Sequence, residues 1–250
     1  ILSLVSSPNL FMLFVFWQLL SWALYLILAF NFPNRPACQN AFKTFFVHRV
    51  GDVSFLCGIF LAYKYFGTLE FTELFKAAAE QPQVISLFSG MLDISAVPAI
   101  ALLIFVGAMA KSAQFPLHVW LPDTMDSPTP VSALMHAGII NAGGFLLNRL
   151  APFYAFSPNT LHIIFVIGVL TVLLGASMML AQNDIKKMLG FSTMGQMGYM
   201  IMECGLGAFA LAIFHLIAHG LFKASLLLGA GKGSQAAREE PKLPDSPDHG

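Results

Sequence analysis

The chain has 250 residues, of which 57% are hydrophobic and 10% are charged, and its formal net charge at pH 7 is +0. Its mean hydropathy is +0.72. A soluble domain carries about a quarter charged residues, so this composition excludes a soluble globular protein. The zero net charge also provides no basic field for nucleic acid. We therefore expect membrane lipid around the chain and no nucleic-acid partner.

Seven apolar stretches are long enough to cross a bilayer, since about 17–25 such residues span its hydrocarbon core. They are approximately Asn9–Phe30, Phe45–Phe66, Val97–Ala113, Val131–Leu150, Leu161–Ala181, Leu189–Cys204 and Ala208–Ala230. They lack the alternating pattern of a β-barrel, and helices are the other structure that satisfies backbone groups in lipid. The sequence thus predicts an all-α polytopic membrane helix bundle with about seven transmembrane helices.

The stretches define a transmembrane domain at residues 1–230 and a polar tail at residues 231–250. The tail, GKGSQAAREEPKLPDSPDHG, has no apolar period and is predicted to be disordered. The chain begins at Ile1 close to an apolar run without a charged n-region, so we expect it to be a fragment of a longer protein. Its three cysteines form no CxxC pair, so neither a metal nor a cofactor is expected.

Positive residues concentrate on one side when the connections are assigned alternately to the two faces of the membrane. The other side has mainly Lys76, with Lys64 and Arg149 at helix ends. By the positive-inside rule, the richer side is cytoplasmic. This predicts that the first helix starts outside and that the polar tail is cytoplasmic. The residues on the richer side are Arg35, Lys43, Lys186, Lys187, Lys232, Arg238 and Lys242.

Lys111 ends an apolar run that Pro116 and Pro122 then interrupt. A lysine inside a membrane costs about 2.5–3.5 kcal/mol on insertion scales, so it requires a reason. It could extend to the interface from a helix end. Alternatively, Pro116 would leave the carbonyl of Ser112 without its helical partner, and that carbonyl beside an amine would form a proton-relay element. We favour the relay, with a discontinuous helix at this point.

Histidines occur inside two further apolar stretches. His136 is either a satisfied core residue or a proton carrier, because the unperturbed pKa of histidine is about 6.5. His215, His219 and Lys223 recur every four residues and therefore share one helical face. Two histidines at this spacing could also bind zinc, but the HExxH glutamate and a third ligand are missing. We favour a relay for both groups.

Arg49 and Asp52 lie three residues apart near the start of the second apolar stretch. At this spacing they can form an ion pair on one helix face. They could either support an ion pathway or stabilise a helix end. The sequence leaves both roles open.

The segment AKSAQFPLHVWLPDTMDSPTPVSALMHAG resembles the proton-conducting antiporter-like membrane subunits. FVHRVGDVSFLCGIFL, DIKKMLGFSTMGQMGYM and IFHLIAHGLFKASLLLGAG resemble the same family in the same order. The family includes NADH-quinone oxidoreductase subunit L, also known as mitochondrial subunit 5, and the large Mrp sodium/proton antiporter subunit. The resemblance implies part of a larger antiporter-like fold in the cell inner membrane, with other membrane subunits as partners.

The resemblance also implies roles for individual residues. The lysine of the discontinuous helix is Lys111, the next relay histidine is His136, and the central relay residues are His215, His219 and Lys223. In the respiratory subunit a glutamate of an earlier helix pairs with that lysine, whereas this chain has Gln18. A neutral amide can orient a lysine but cannot stabilise its charge as a carboxylate does. Ser112, Pro116, Arg49 and Asp52 are supporting residues.

Three hypotheses remain open. FWQLLSWALY, HAGIINAGGFLLNRLAPF and GAGKGSQAA are similar to the DabB-type membrane subunit of inorganic carbon transporters, which works with a zinc-binding, carbonic-anhydrase-like partner, DabA. We prefer this carbon-uptake hypothesis. The alternatives are a proton-pumping quinone oxidoreductase or Mrp-type antiporter subunit, and a scaffold subunit that does not conduct. The sequence has no nucleotide, flavin or quinone motif, so redox catalysis would belong to partners.

Overall fold

A computed structural model describes residues 1–30, 33–80, 84–87, 92–126 and 129–239. Most of this part of the chain is helical. The helices and strands are α1 (Leu2–Val5), α2 (Leu10–Leu28), α3 (Arg35–Phe66), α4 (Phe71–Glu80), β1 (Val84–Leu87), β2 (Leu92–Ser95), α5 (Ala96–Lys111), a 3₁₀ turn (Pro122–Asp126), α6 (Thr129–Leu134), a π-helical turn (Met135–Ile139), α7 (Ala142–Arg149), α8 (Ala151–Tyr154), α9 (Pro158–Leu180), α10 (Ile185–Gly205) and α11 (Phe209–Glu239).

The seven predicted spans all correspond to helical segments. Five of the described helical segments are long and apolar enough to cross a membrane, namely Leu10–Leu28, Arg35–Phe66, Pro130–Arg149, Pro158–Leu180 and Phe209–Leu226. The other two predicted spans correspond to α5, which is a shorter apolar helix, and to α10, which contains more polar residues. The predicted helix bundle is confirmed.

The helix α3 begins at Arg35, well before the predicted start at Phe45. The Asn34 side chain caps this end by accepting a hydrogen bond from the backbone N–H of Ala37. Pro36 stands in the first turn, where its missing N–H costs no intrahelical hydrogen bond. Apolarity alone therefore placed the start too late, because the first turns of α3 are polar.

The connection between α3 and α5 contains a short helix and a small hairpin. The helix α4 fits the amphipathic segment EFTELFKAAAE. The strands β1 and β2 pair antiparallel, with Val84 opposite Ser95. This hairpin is a local departure from the all-α prediction.

The last helix differs from the predicted tail. The helix α11 continues to Glu239, so residues 231–239 are helical where the sequence predicted disorder. Ala, Lys, Gln, Arg and Glu in this stretch are good helix formers, and they extend the helix without an apolar period. Residues 240–250 of the predicted tail lie outside the described residues.

The outer surface of the bundle is apolar and polar groups lie inside it. Large side chains such as Leu19, Phe60, Leu173 and Phe214 are more than half exposed, at 56%, 64%, 59% and 69%. A soluble monomer rarely exposes so much apolar surface, but lipid tails would cover it. Several charged and polar side chains are buried instead, including His48, Asp52, Lys111, His136, His219 and Lys223.

Candidate ion pathway

The discontinuity lies at the end of α5. The helix ends at Lys111, and Ala113 adopts a positive φ of 48°, which is uncommon for a residue other than glycine. The chain then turns until the 3₁₀ turn begins at Pro122. The predicted break is therefore present, but the helix ends five residues before Pro116.

The backbone groups released by this break are satisfied by nearby side chains. The carbonyl of Ser112 accepts a hydrogen bond of 2.9 Å from Gln114 Nε2, so the prediction that Pro116 leaves it free is wrong. The carbonyl of Ala110 accepts one of 3.0 Å from Trp120 Nε1. In the loop, the N–H of Phe115 donates to Thr171 Oγ1 on α9 at 3.1 Å. These bonds allow a broken backbone to persist inside the bundle.

The Lys111 side chain points into the protein. It has 0% exposure, and its amine donates a hydrogen bond to Ser21 Oγ on α2. Its Nζ also lies 5.4 Å from the ring centre of Trp17, within the range of a cation–π contact. The alternative in which Lys111 extends to the lipid headgroups does not fit this geometry.

The buried carboxylate of Asp52 contacts two residues that also contact this lysine, Trp17 and Ser21. Its Oδ1 accepts a hydrogen bond of 2.8 Å from Trp17 Nε1, and its Oδ2 lies 3.5 Å from Ser21 Oγ. Arg49 Nη2 lies 2.8 Å from the same Oδ2, so the predicted Arg49–Asp52 ion pair is present. Ser21 thus links the amine of Lys111 to a buried carboxylate on α3.

Gln18 does not form the hydrogen bond to Lys111 that its position suggested. The hydrogen bond from Lys111 goes to Ser21, one turn further along α2. Gln18 Oε1 is buried and has no hydrogen-bond partner within the described residues. Among the described residues, the carboxylate that approaches the amine of Lys111 through Ser21 is that of Asp52.

His136 lies in the π-helical turn that interrupts the helix after the break. The π turn is marked by the hydrogen bond of 3.1 Å from the Ile140 N–H to the Met135 carbonyl. His136 is 1% exposed, and neither ring nitrogen has a hydrogen-bond partner in the described part of the chain. Such single π turns occur frequently at functional sites.

The end of α5 lies against the start of α7, directly after the π turn. Ser112 Oγ donates 2.6 Å to the carbonyl of Ile140. A Cβ on Gly143 would lie 2.3 Å from Ser112 Oγ and 2.5 Å from the carbonyl of Ala108. Only glycine allows the two backbones to come this close. The helix end that carries Lys111 therefore lies next to the helical segment that carries His136.

The helix α11 packs against the π turn. A Cβ on Gly220 would lie 3.1 Å from the carbonyl of Ala137. His219 and Lys223 are 6% and 3% exposed, so this part of α11 carries its polar groups inwards. The helix segment that carries His136 therefore contacts both the end of α5 and α11.

The polar face of α11 packs against polar residues of α10. His215 Nδ1 lies 3.1 Å from Glu203 Oε1, and its Nε2 lies 3.0 Å from Gln196 Oε1. The His215 and His219 rings have centres 6.3 Å apart. Lys223 Nζ donates a hydrogen bond of 3.1 Å to Ser192 Oγ.

A cavity of about 280 Å³ borders this face and is lined by Ser192, Gln196, His215, His219 and Lys223, together with Ala218 and Phe222.

The sequence did not identify every residue of these clusters. Trp17 and Ser21 look like ordinary members of an apolar helix, and only the fold brings them to Lys111 and Asp52. Ser192, Gln196 and Glu203 are spaced by four and seven residues, which places them on one face of α10. This spacing could have indicated a polar face on α10 from the sequence. Within the described residues, no three His, Cys, Asp or Glu side chains are arranged to hold a metal ion.

Comparison with known proteins agrees with this arrangement of helices. Residues 7–243 match the family model described as NADH:quinone oxidoreductase/Mrp antiporter, TM. The chain belongs to this family. It is accordingly a multi-pass membrane protein of the antiporter-like class, as its sequence motifs suggested.

Relatives in the family come from several kinds of membrane complex. The chain is 48% identical over 249 residues to the probable inorganic carbon transporter subunit DabB1 of Halothiobacillus neapolitanus, covering 100% of this chain and 44% of that protein. It is 48% identical over 235 residues to the chloroplastic NAD(P)H-quinone oxidoreductase subunit 5 of Nymphaea alba, covering 92% and 30%. The chain thus spans less than half the length of these relatives.

A solved structure has the same fold. The Mrp complex from Dietzia sp. DQ12-45-1b matches with a TM-score of 0.84 and 31% identity, over 94% of this chain and 25% of that one. The archaeal membrane-bound sulfane sulfur reductase also matches, with a TM-score of 0.80 and 23% identity over 92% and 46%. The latter similarity concerns the fold alone.

Proposed function

We propose that this chain translocates ions, and specifically protons, as part of a membrane subunit in an energy-coupled complex. The observation that carries the proposal is the full burial of Lys111 at a helix break, with its amine bonded to Ser21 and through it to Asp52. Burying such groups is costly in a bilayer and is typical of ion pathways. A scaffold subunit that does not conduct ions has no need of such buried charged groups.

The proposed pathway joins the groups in spatial order. It starts at the Lys111 cluster, passes the π turn with His136, and reaches His219, which lies between His215 and Lys223 on α11. Adjacent packing supports the order, because Ser112 contacts Ile140 and Gly220 lies against Ala137. Water bridging the remaining gaps would complete the proton path.

We propose an inorganic carbon transporter as the complex. The similarity to DabB1 extends over the whole chain, and Gln18 replaces the glutamate expected of a respiratory subunit. In this proposal the ion flow drives the capture of CO2 or bicarbonate by a DabA-like zinc partner. The second candidate is a quinone oxidoreductase or Mrp-type complex, supported by the match to subunit 5 and by the Mrp structure.

For the location, we propose the cell inner membrane with the start of α2 outside. Arg35 and Lys187 lie at the starts of α3 and α10, which would then face the cytoplasm, and Lys43 lies about two turns into α3. Glycosylation or cysteine-labelling tags at the two ends of α2 would test this orientation.

The decisive variants are Lys111→Ala and His219→Ala in the full-length protein with its partner subunits. Ion-coupled uptake and membrane abundance are measured together, with Lys64→Ala at the exposed end of α3 as the matched control. We expect both variants to lose most uptake, by about a hundredfold or more for a missing proton carrier, at normal abundance. Full activity in both would instead support a scaffold.

A further inference from the structure

Glu203 is a carboxylate that the proposed pathway does not yet use. It lies in α10, two residues before that helix ends at Gly205, and its side chain is 14% exposed. Both of its oxygens lie within hydrogen-bond distance of His215 Nδ1, at 3.1 and 3.2 Å. The pair therefore places an acidic group directly on the first histidine of the polar face of α11.

The position of this pair along the membrane is informative. His215 lies six residues into α11, about 9 Å from the start of this helix along its axis, and Lys223 lies about 21 Å from the same point. Glu203 is only about 3 Å from the end of α10 by the same rise. Measured along the helix axes, the groups thus form a series that starts near the end of α10 and extends about 21 Å from the start of α11.

The other nitrogen of His215 has its own partner. Nε2 lies 3.0 Å from Gln196 Oε1, two turns deeper on α10. An amide oxygen accepts a hydrogen bond, so this contact assigns an N–H to Nε2. Nδ1 is then the nitrogen that faces Glu203, and the imidazole is fixed with that nitrogen directed towards the membrane face.

We propose that Glu203 is the group through which the histidine–lysine series exchanges protons with the aqueous face at which α10 ends. The inference rests on the proposed function. In the step, a protonated His215 gives its Nδ1 proton to the Glu203 carboxylate, leaving a neutral imidazole and a carboxylic acid. The acid then releases the proton to water and regenerates the carboxylate. The same steps run backwards for uptake.

The flux test uses the full-length protein in its complex, reconstituted in liposomes with an internal pH dye. Glu203→Gln keeps an oxygen that can accept from His215 but removes the exchangeable proton, whereas Glu203→Asp keeps the acid. The control is Glu80→Gln on exposed α4, and Lys111→Ala reports separately on conduction. We expect about a hundredfold lower flux for Glu203→Gln, partial recovery for Glu203→Asp, and no change for Glu80→Gln.

The outcomes separate the two proposals. Normal flux in Glu203→Gln together with lost flux in Lys111→Ala would overturn the role of Glu203 and leave conduction intact. Normal flux in Lys111→Ala would overturn the proposed function itself. Low flux in both Glu203→Gln and Glu203→Asp, with reduced abundance in the membrane, would show that the pair is structural and would also overturn the role.

A labelling experiment tests the side of access independently of flux. Glu203→Cys is introduced after the exposed Cys57 and the partly buried Cys38 are replaced by serine, and a membrane-impermeant maleimide is added from either side. Lys76→Cys on α4 and Lys187→Cys on α10 mark the two faces. We expect Glu203→Cys to react from the side of position 76. Reaction only from the side of position 187, or no reaction, would contradict the proposal.

Discussion

The amine of Lys111 and the hydroxyl of Ser21 form a hydrogen bond that joins α5 to α2 inside the bundle. Ser21 Oγ also lies 3.5 Å from Asp52 Oδ2, so one hydroxyl lies between a buried amine and a buried carboxylate. In the described part of the chain, a hydroxyl thus bridges the amine and the carboxylate. With such a bridge, the lysine would not have to break a direct ion pair with a carboxylate each time it releases or takes up a proton.

Replacing Ser21 by alanine should impair ion translocation. The amine would lose its acceptor while remaining buried, and leaving a buried polar group unpaired costs about 1–3 kcal/mol. We expect a several-fold or larger decrease in proton flux in reconstituted complexes. The control is Ser177→Ala, since Ser177 is exposed and, in the part of the chain that the structure describes, bonds to the carbonyl of Leu173 in its own helix. Equal flux in the two variants would show that the bridge has no role.

Replacing Asp52 by asparagine should have a stronger effect. The substitution removes the charge that faces both Arg49 and the Lys111 cluster, but it preserves an oxygen that can accept from Trp17 Nε1. Breaking a buried ion pair on one side typically costs about 3–5 kcal/mol. We expect less protein in the membrane and lower flux per molecule, measured by immunoblot and by a pH dye.

The matched control for Asp52 is Glu73→Gln, because Glu73 is exposed and its hydrogen bond within the described residues is to Thr68 in the adjacent turn. It should leave both abundance and flux unchanged. If Asp52→Asn behaved like this control, the carboxylate would have no part in holding Lys111.

Gly143→Ala should destabilise the contact between α5 and α7. The added Cβ would lie 2.3 Å from Ser112 Oγ and 2.5 Å from the carbonyl of Ala108, so backbone has to move. Overpacking of this kind costs about 1–3 kcal/mol, and we expect a lower Tm in detergent. Gly229→Ala is the control, because a Cβ there meets no atom of the described residues within 4 Å. An unchanged Tm for Gly143→Ala would contradict the close approach.

Thr171→Val tests how the loop after the helix break is held. The Phe115 N–H donates to Thr171 Oγ1 at 3.1 Å, and valine keeps the shape of the side chain without the acceptor. We expect destabilisation by about 1–3 kcal/mol, seen as a lower Tm. Thr193→Val is a fair comparison, since Thr193 bonds to the Leu189 carbonyl within its own helix. A similar Tm in the two variants would mean that the bond to Phe115 contributes little.

The sequence allowed the helix bundle, the break at Lys111 and the polar face of α11 to be predicted, because each depends on periodicity or on a costly residue in an apolar run. The start of α3 was missed because a capped polar turn carries no apolar signal. The partners of Lys111 could not be predicted from spacing. Ser21 and Asp52 come from two other helices, and only their packing determines that Ser21, rather than Gln18, meets the amine.

Proton flux through the complete complex carrying Lys111→Met is the most direct measurement. Methionine fills a similar volume but cannot carry a proton, and Lys64→Met at the exposed end of α3 provides the matched control. We predict that Lys111→Met assembles normally and loses most of its flux, by about a hundredfold, while Lys64→Met conducts normally. Normal flux through an assembled Lys111→Met complex would contradict an ion pathway built on this buried amine.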